Sequence, residues 1–156
     1  MPAVDVLFDS NVLLYALSDA PGERARRDQA VFLIATEDFG TSYQVVMETW
    51  VVATRKMERR VAPAKVSAFL ERILVFPCVA GTDGLYRQAF RLAERFGVHP
   101  YDAAILAAAQ ELGARRVLSE DFNDGQDYDG VKVVNPFRGL TRIFHTPSVH
   151  MAVRLR

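Results

Sequence analysis

Residues 4–17, VDVLFDSNVLLYAL, join two apolar runs through the polar triplet DSN. The first run, residues 4–8, is rich in β-prone side chains and ends abruptly at Asp9, which is typical of a mostly buried strand. The second run, residues 12–17, predicts a short apolar helix that ends before Pro21. A strand that passes directly into a helix indicates an α/β fold.

The rest of the chain alternates helical patterns with short β-prone runs. Further strands are predicted at residues 74–79, 116–118 and 131–134. Helices are predicted at residues 23–37, 43–60, 63–73, 85–96 and 100–112. Because helices separate the strands, we expect parallel pairing through crossover connections. The predicted fold is a three-layer α/β/α sandwich with a central parallel sheet, and Pro77 places its strand at a sheet edge or its own end.

Length and composition restrict the class of protein. The chain has 156 residues, which is enough for one domain with its own core. Nineteen basic and nineteen acidic residues give zero net charge, which argues against a histone-like protein that binds nucleic acid through bulk charge. The single cysteine excludes an internal disulfide, and neither a membrane span nor a signal peptide is visible. We therefore expect a cytoplasmic protein without a membrane partner.

Folds of this class form their functional sites outside the carboxyl ends of the parallel strands, and four acidic residues can converge there. Asp9 and Asp121 each follow a predicted strand, and Asp102 lies in the first turn of an alanine-rich helix. Glu48 lies about 40° around its helix from Val52, so its carboxylate borders an apolar stripe. Such a carboxylate loses hydration, which is costly unless it is paired or binds a cation.

Each of these acids also has a purely structural explanation. Asp9 suits a helix N-cap, Glu48 a side chain that reaches water, and Asp102 a position favoured by the helix dipole. Asp121 belongs to an acid-rich stretch that suits a solvated loop. A calcium-binding EF-hand loop is excluded, because Gly125 is the fifth residue from Asp121 rather than the sixth and the twelfth is not glutamate.

Brought together, the four carboxylates would repel one another and would require a cation. Hard oxygen ligands select Mg²⁺ or Mn²⁺. Such a site suits phosphodiester hydrolysis, because the metal lowers the pKa of bound water and stabilises charge on the phosphate. The GxGxxG, P-loop and GxSxG patterns of other enzyme classes are absent from the sequence.

Four segments, taken together and in this order, resemble those of the PIN-domain endoribonucleases, specifically the VapC-type toxins of bacterial type II toxin–antitoxin pairs. The segments are FDSNVLLYAL at residues 8–17, QVVMETWVVATRK at 44–56, HPYDAAILAAA at 99–109 and VLSEDFNDG at 117–125, the last followed by VVNPF at 133–137. The resemblance covers residues 4–137.

The resemblance implies that the acidic quartet that binds Mg²⁺ or Mn²⁺ consists of Asp9, Glu48, Asp102 and Asp121. Asn11 and Ser119 match polar positions beside the first and fourth acids, and Asp124 matches an extra acidic position. The implied activity is metal-dependent cleavage of single-stranded or loop RNA. A homodimer and a cognate antitoxin, whose tail occupies the active-site groove, are implied as partners.

The chain departs from the family after Phe137, where about nineteen further residues follow. We expect a nuclease domain at residues 1–137 and a basic extension at 138–156, which either packs on the domain or contacts RNA or a partner. Because the net charge is zero, RNA binding requires a local patch. Arg55 and Lys56, nearest to Glu48 in sequence, are the candidate substrate-binding residues, although a solvated helical face also explains them.

Two other functions remain open. A haloacid-dehalogenase-like phosphatase also places an aspartate after its first strand, but it requires a second acid where this chain has Asn11. A non-catalytic module, either a signalling receiver or a degenerate PIN-like domain that binds RNA or protein, is the other alternative. A receiver has paired acids after its first strand, and a degenerate domain loses members of the quartet. This chain shows neither feature.

Overall fold

The structure is a computed structural model that describes residues 2–140. Residues 141–156, most of the predicted extension at 138–156, lie outside the described residues, so the division into domain and extension stays a prediction. No helix within residues 2–140 is both long and apolar enough to cross a membrane.

A six-stranded sheet runs through the middle of the described chain in the order β3-β2-β1-β4-β6-β5. Its strands are β1 (Val6–Phe8), β2 (Phe39–Ser42), β3 (Cys78–Val79), β4 (Arg116–Leu118), β5 (Asp127–Tyr128) and β6 (Val131–Val134). Five strands pair in parallel, and only the edge strand β5 is antiparallel to its neighbour. The predicted sandwich with a parallel sheet is confirmed, with one antiparallel strand added at its edge.

Six α-helices connect the strands within residues 2–140. They are α1 (Ser10–Leu17), α2 (Arg24–Thr36), α3 (Tyr43–Val51), α4 (Pro63–Ile73), α5 (Asp83–Phe96) and α6 (Pro100–Glu111). A 3₁₀ turn at Pro21–Glu23 precedes α2, and a π-helical turn at Val52–Lys56 follows α3. The buried core is continuous and includes both faces of β1 and the middle of α6.

The prediction of one strand at residues 74–79 is wrong for its first four residues. Only Cys78–Val79 pairs in the sheet, at the edge position that Pro77 predicted. Phe76 instead packs on Phe39, with ring centroids 4.3 Å apart, while its N–H closes a turn on Ile73. The ring contact and the turn hold this segment outside the strand ladder.

The predicted strands omit β2, whose sequence FGTS contains a single strongly β-prone apolar residue. Packing forms this strand, since the Phe39 ring stacks on that of Phe8 at 4.3 Å. Gly40 allows the close approach of its neighbours, because a Cβ there would lie 2.8 Å from Leu112 and 2.9 Å from the Pro77 carbonyl oxygen. The sequence carries little local signal for a strand that depends on such distant contacts.

The predicted single helix at residues 43–60 is also wrong in its second half. Regular α3 ends at Val51, and the π-helical turn ends at Lys56. The N–H of Met57 donates to the carbonyl of Val52, five residues back, and the Met57 backbone is extended. The wider turn ends the helix where the Met57 side chain enters the core.

Candidate active site

Asp9 and Ser119 meet at the carboxyl ends of the two central strands. Phe8 of β1 is paired with Leu118 of β4, so the next residue of each strand lies at the same edge of the sheet. Asp9 is fully buried, and its Oδ2 accepts a hydrogen bond from Ser119 Oγ at 2.7 Å. Its Oδ1 accepts from the N–H of Ser10 at 2.7 Å, which caps α1. These two hydrogen bonds fix the carboxylate in one orientation.

Ser119 connects Asp9 to a second acid. Its Oγ accepts hydrogen bonds from the Asp121 N–H at 3.1 Å and from Asn11 Nδ2 at 3.2 Å. Asn11 Nδ2 also donates to Asp121 Oδ2 at 2.9 Å. With one donated and two accepted bonds, the Ser119 hydroxyl is fully used. The structure therefore brings Asp9, Asn11, Ser119 and Asp121 into one hydrogen-bonded cluster.

Asp102 lies at the same edge of the sheet because α6 precedes β4 and runs back across the sheet. The helix therefore begins at the carboxyl ends of the strands. His99 caps this end through its Nδ1, which accepts from the Tyr101 N–H at 3.2 Å. Asp102 is buried, and the seven residues after it are buried as well. The helix behind the acid is thus buried from residue 102 to residue 109.

The pKa of the Tyr128 phenol depends in part on the charge of Asp102. Burial raises the pKa of the Tyr128 phenol, a backbone hydrogen bond at Asn123 opposes that rise, and the Asp102 charge adds to it. Tyr128 belongs to β5, the antiparallel edge strand.

Glu48 lies beside the residues that precede Asp102. It lies on α3, which begins at the carboxyl end of β2, and its side chain is partly buried. It lines a groove of about 550 Å³ together with Pro100 and Tyr101, the two residues before Asp102. Gln44 Nε2 donates to the Tyr101 carbonyl at 3.1 Å, which joins the start of α3 to the first turn of α6.

Asp124 accepts hydrogen bonds through both of its carboxylate oxygens. Its Oδ1 accepts from the N–H of Asn135 at 2.8 Å, and its Oδ2 pairs with Arg138 at 2.6 Å. The Asn135 hydrogen bond is the main cause that lowers the Asp124 pKa, desolvation opposes the shift, and Arg138 and Lys132 add to the lowering. Both carboxylate oxygens therefore hold the chain after β6 against the loop after β4.

Arg55 and Lys56 lie in the π-helical turn, with Arg55 exposed and Lys56 half-buried. The next exposed arginine, Arg59, pairs with Asp19 at 2.9 Å. Within residues 2–140, neither Arg55 nor Lys56 forms a hydrogen bond or an ion pair with the acidic cluster. Their role in substrate binding remains a prediction.

The carboxylate and amide oxygens at this edge of the sheet are suitable ligands for a hard divalent cation. Their side chains do not, however, surround one common point. Within residues 2–140, no group of three or more His, Cys, Asp or Glu side chains is arranged to hold a metal. Asn11 Oδ1 is nevertheless buried and accepts no hydrogen bond in this part of the chain. The other candidate donors are carboxylate oxygens, which are acceptors that also bind hard cations. An all-oxygen donor set selects Mg²⁺ or Mn²⁺.

Sequence reasoning missed the residues that support this cluster from behind. Tyr15 and Arg26 both contact Glu120, the residue between Ser119 and Asp121. Tyr15 belongs to an apolar helical run, and Arg26 to a basic helical one. Neither run distinguishes them from core or surface residues.

Comparison with known families adds an independent result. The sequence model of the PIN domain family matches residues 6–125, a range that includes all four candidate acids. No curated protein matches the sequence significantly.

Several solved structures share the fold. VapC20 of Mycobacterium tuberculosis, a sarcin-ricin loop cleaving toxin, is 21% identical with a TM-score of 0.61, over 76% of this chain and 92% of its own. A toxin–antitoxin complex from Klebsiella pneumoniae gives 20% identity and 0.61, over 85% and 98%. DNA-bound VapBC from Salmonella typhimurium gives 18% and 0.57, over 85% and 98%. At these identities the likeness establishes a common fold.

Proposed function

We propose, because the chain belongs to the PIN domain family, that it is a metal-dependent endoribonuclease and the toxin of a VapBC-type toxin–antitoxin pair. The observation that carries this proposal is the hydrogen-bonded cluster of Asp9, Asn11, Ser119 and Asp121 at the carboxyl edge of the sheet. The buried acid Asp102 stands at the same edge. In the proposed organisation the nuclease domain spans residues 1–137, and a basic extension spans 138–156.

Asp9 and Asp102 would hold the main cation, Mg²⁺ or Mn²⁺, with Asp121 assisting. Glu48 would share the cation or orient the attacking water. A bound cation supplies an activated water and stabilises the charge that develops on the phosphate. The protein's own contribution is to fix the acids before substrate arrives, and Ser119 does so for Asp9 and Asp121 together.

The experiment that tests this function measures cleavage of RNA by the purified full-length chain, with Mg²⁺ or Mn²⁺ and then with EDTA. Asp9→Asn is the active-site variant, and Asp28→Asn, an exposed acid of α2, is its matched control. We expect cleavage that requires the metal, disappears in Asp9→Asn and persists in Asp28→Asn.

Two outcomes oppose the proposal. Cleavage retained by folded Asp9→Asn contradicts the site assignment. A wild-type chain that binds Mn²⁺ without cutting single-stranded or loop RNA favours the non-catalytic binding module instead. The first substrate to use is an RNA stem-loop, because VapC20, which shares the fold, is a sarcin-ricin loop cleaving toxin.

An antitoxin is the proposed protein partner, and we propose that the pair acts in the cytoplasm. Two of the solved structures with this fold are toxin–antitoxin or VapBC complexes. The antitoxin tail is proposed to occupy the active-site groove. A separate groove of about 540 Å³ between α1, α2 and α4 would fit a further apolar segment of the antitoxin. Val31 and Val75 on its wall are largely exposed.

A homodimer is the second proposed assembly. The groove that Glu48 lines carries exposed large side chains from α3, α5 and the start of α6, namely Tyr43, Met47, Tyr86, Phe90 and Tyr101. Aromatic side chains and methionine are enriched in protein interfaces. Pairs one helical turn apart on α3 and α5 form a surface that a second copy would meet with the same residues.

A further inference from the structure

Arg26 occupies a nearly enclosed position behind the candidate active site. Its side chain is 11% exposed. Arg26 Nη1 pairs at 3.4 Å with Oε2 of Glu120, whose side chain is 10% exposed. Glu120 stands between Ser119 and Asp121, the two residues of the β4 loop that belong to the acidic cluster. An ion pair with so little water around it is screened weakly.

Aromatic rings and a backbone carbonyl hold the guanidinium from other directions. It lies 5.5 Å from the centre of the Tyr15 ring and 6.0 Å from that of Phe137. Its Nη2 donates to the carbonyl oxygen of Leu140 at 2.9 Å. Tyr15 in turn donates its hydroxyl to Glu120 Oε1 at 2.8 Å. Both carboxylate oxygens of Glu120 are therefore held by groups that are themselves packed.

We infer that Arg26 is a positioning residue of the nuclease: it fixes Glu120 and thereby the loop that presents Ser119 and Asp121 to the cation. This inference rests on the proposed function. Arg26 belongs to α2 and acts through its ion pair with Glu120. Removing it would take the guanidinium away from a largely buried carboxylate that lies one residue before Asp121.

Charge and position predict opposite effects, which makes the inference testable. Arg26→Met removes a positive charge near the proposed cation site, so electrostatics alone would tighten Mn²⁺ binding. Loss of positioning would loosen Mn²⁺ binding, since partners behind metal ligands typically contribute about 10–100-fold to affinity or activity.

The experiment measures Mn²⁺ binding to the full-length chain by electron paramagnetic resonance, together with kcat and KM for RNA cleavage. For Arg26→Met we expect Mn²⁺ affinity and kcat to fall by about 10–100-fold, with KM nearly unchanged. Arg26→Lys keeps the charge without the planar fork and should fall between wild type and Arg26→Met. Wild-type or tighter Mn²⁺ binding in folded Arg26→Met would overturn the inference.

The matched control is Arg116→Met. Arg116 pairs with Glu37 at 3.0 Å and lies at the amino end of β4, so it is a more exposed Arg–Glu pair at the opposite edge of the sheet. We expect this variant to bind Mn²⁺ and cleave RNA like wild type. Equal losses in Arg116→Met and Arg26→Met would show a general effect of stability and would overturn the inference.

Tyr15→Phe keeps the test decisive if Arg26→Met does not fold. It removes only the hydroxyl that donates to Glu120 and changes no charge, so we expect a smaller loss of Mn²⁺ affinity and kcat in the same direction. No loss in either Tyr15→Phe or Arg26→Lys would overturn the inference. If wild type binds Mn²⁺ but cleaves no RNA, the proposed function fails while the Mn²⁺ measurements still decide the role of Arg26. If wild type binds no Mn²⁺, both fail.

Discussion

The hydroxyl of Ser119 donates to the carboxylate of Asp9 at 2.7 Å, between two residues 110 positions apart in the chain. The contact exists because β1 and β4 are neighbours in the sheet, although six α-helices, two strands and more than half of the sequence lie between them along the chain. It orients a fully buried acid, and it does so with a hydroxyl that also holds the loop carrying Asp121.

Ser119→Ala tests this contact. The substitution leaves Asp9 Oδ2 without its hydroxyl donor and removes an acceptor from Asn11 and Asp121. Unmade buried hydrogen bonds of this kind destabilise by about 1–3 kcal/mol. We expect a lower free energy of unfolding in urea and a reduced rate of RNA cleavage. Ser67→Ala, on the exposed face of α4, is the control and should change neither quantity. A Ser119→Ala protein with unchanged stability would show that the hydroxyl contributes nothing to the fold.

Gly40→Ala tests how β2 is accommodated. The added Cβ would lie 2.8 Å from a Leu112 methyl and 2.9 Å from the Pro77 carbonyl oxygen. The backbone oxygen cannot move away by a change of rotamer, as a side chain could. Overpacking of this kind destabilises by about 1–3 kcal/mol. Thermal unfolding should show the loss. Gly84→Ala, in the first turn of α5 and 3.9 Å from its nearest neighbour, should instead stabilise the protein by a few tenths of a kcal/mol or more. Equal effects in the two variants would contradict this account.

The sequence predicted those parts of the fold whose signals are local. The strand before Asp9 and the alanine-rich helix that contains Asp102 were predicted correctly. Each is a run of apolar residues that ends at a clear change of residue type. The hairpin of β5 and β6 was missed even though its two-residue turn, Asp129-Gly130, is a known hairpin signal. Both residues have positive φ, 54° and 87°, as a type I′ turn requires. The acids of this stretch are equally typical of a solvated loop, which hides the hairpin signal.

The candidate site was predictable for residues that follow strands and not for those that support them. Asn11 and Ser119 were found through their neighbours Asp9 and Asp121, and the structure joins all four. Arg26 lies 94 residues from Glu120, and nothing near it in sequence marks it. Long-range pairs of this kind depend on tertiary packing, which a single sequence does not display.

Asp124→Asn tests the brace after β6 by its pH dependence. The folded-state pKa of Asp124 is lowered, chiefly by the Asn135 hydrogen bond, so the ionised carboxylate stabilises the fold. That stabilisation is complete above the ordinary aspartate pKa, about 3.9, and is lost as pH falls through the lowered folded value. Urea unfolding should therefore show wild type more stable than Asp124→Asn at pH 7, with the difference shrinking below about pH 4. A difference that stays constant down to pH 2 would contradict an ionised brace.

Phe90→Glu tests the proposed dimer. Phe90 is 59% exposed on α5 and lines the groove shared with Tyr43 and Tyr101. If a second copy covers this surface, a buried and unpaired carboxylate there costs several kcal/mol per copy. Sedimentation should show a wild-type dimer at micromolar concentration and a folded monomer for Phe90→Glu. The matched control is Val75→Glu, 83% exposed on the wall of the groove between α1, α2 and α4.

Because Val75 lies outside the proposed dimer surface, Val75→Glu should keep the wild-type mass in sedimentation and should lose affinity for an antitoxin that binds its groove. A dimer that survives Phe90→Glu and dissociates in Val75→Glu would exchange the two assignments. A wild-type chain that stays monomeric would remove the dimer from the proposal and leave the surface of Phe90 for another partner. The two variants add the same charge to exposed apolar residues, so a difference between them reports which surface is covered rather than a general effect of charge.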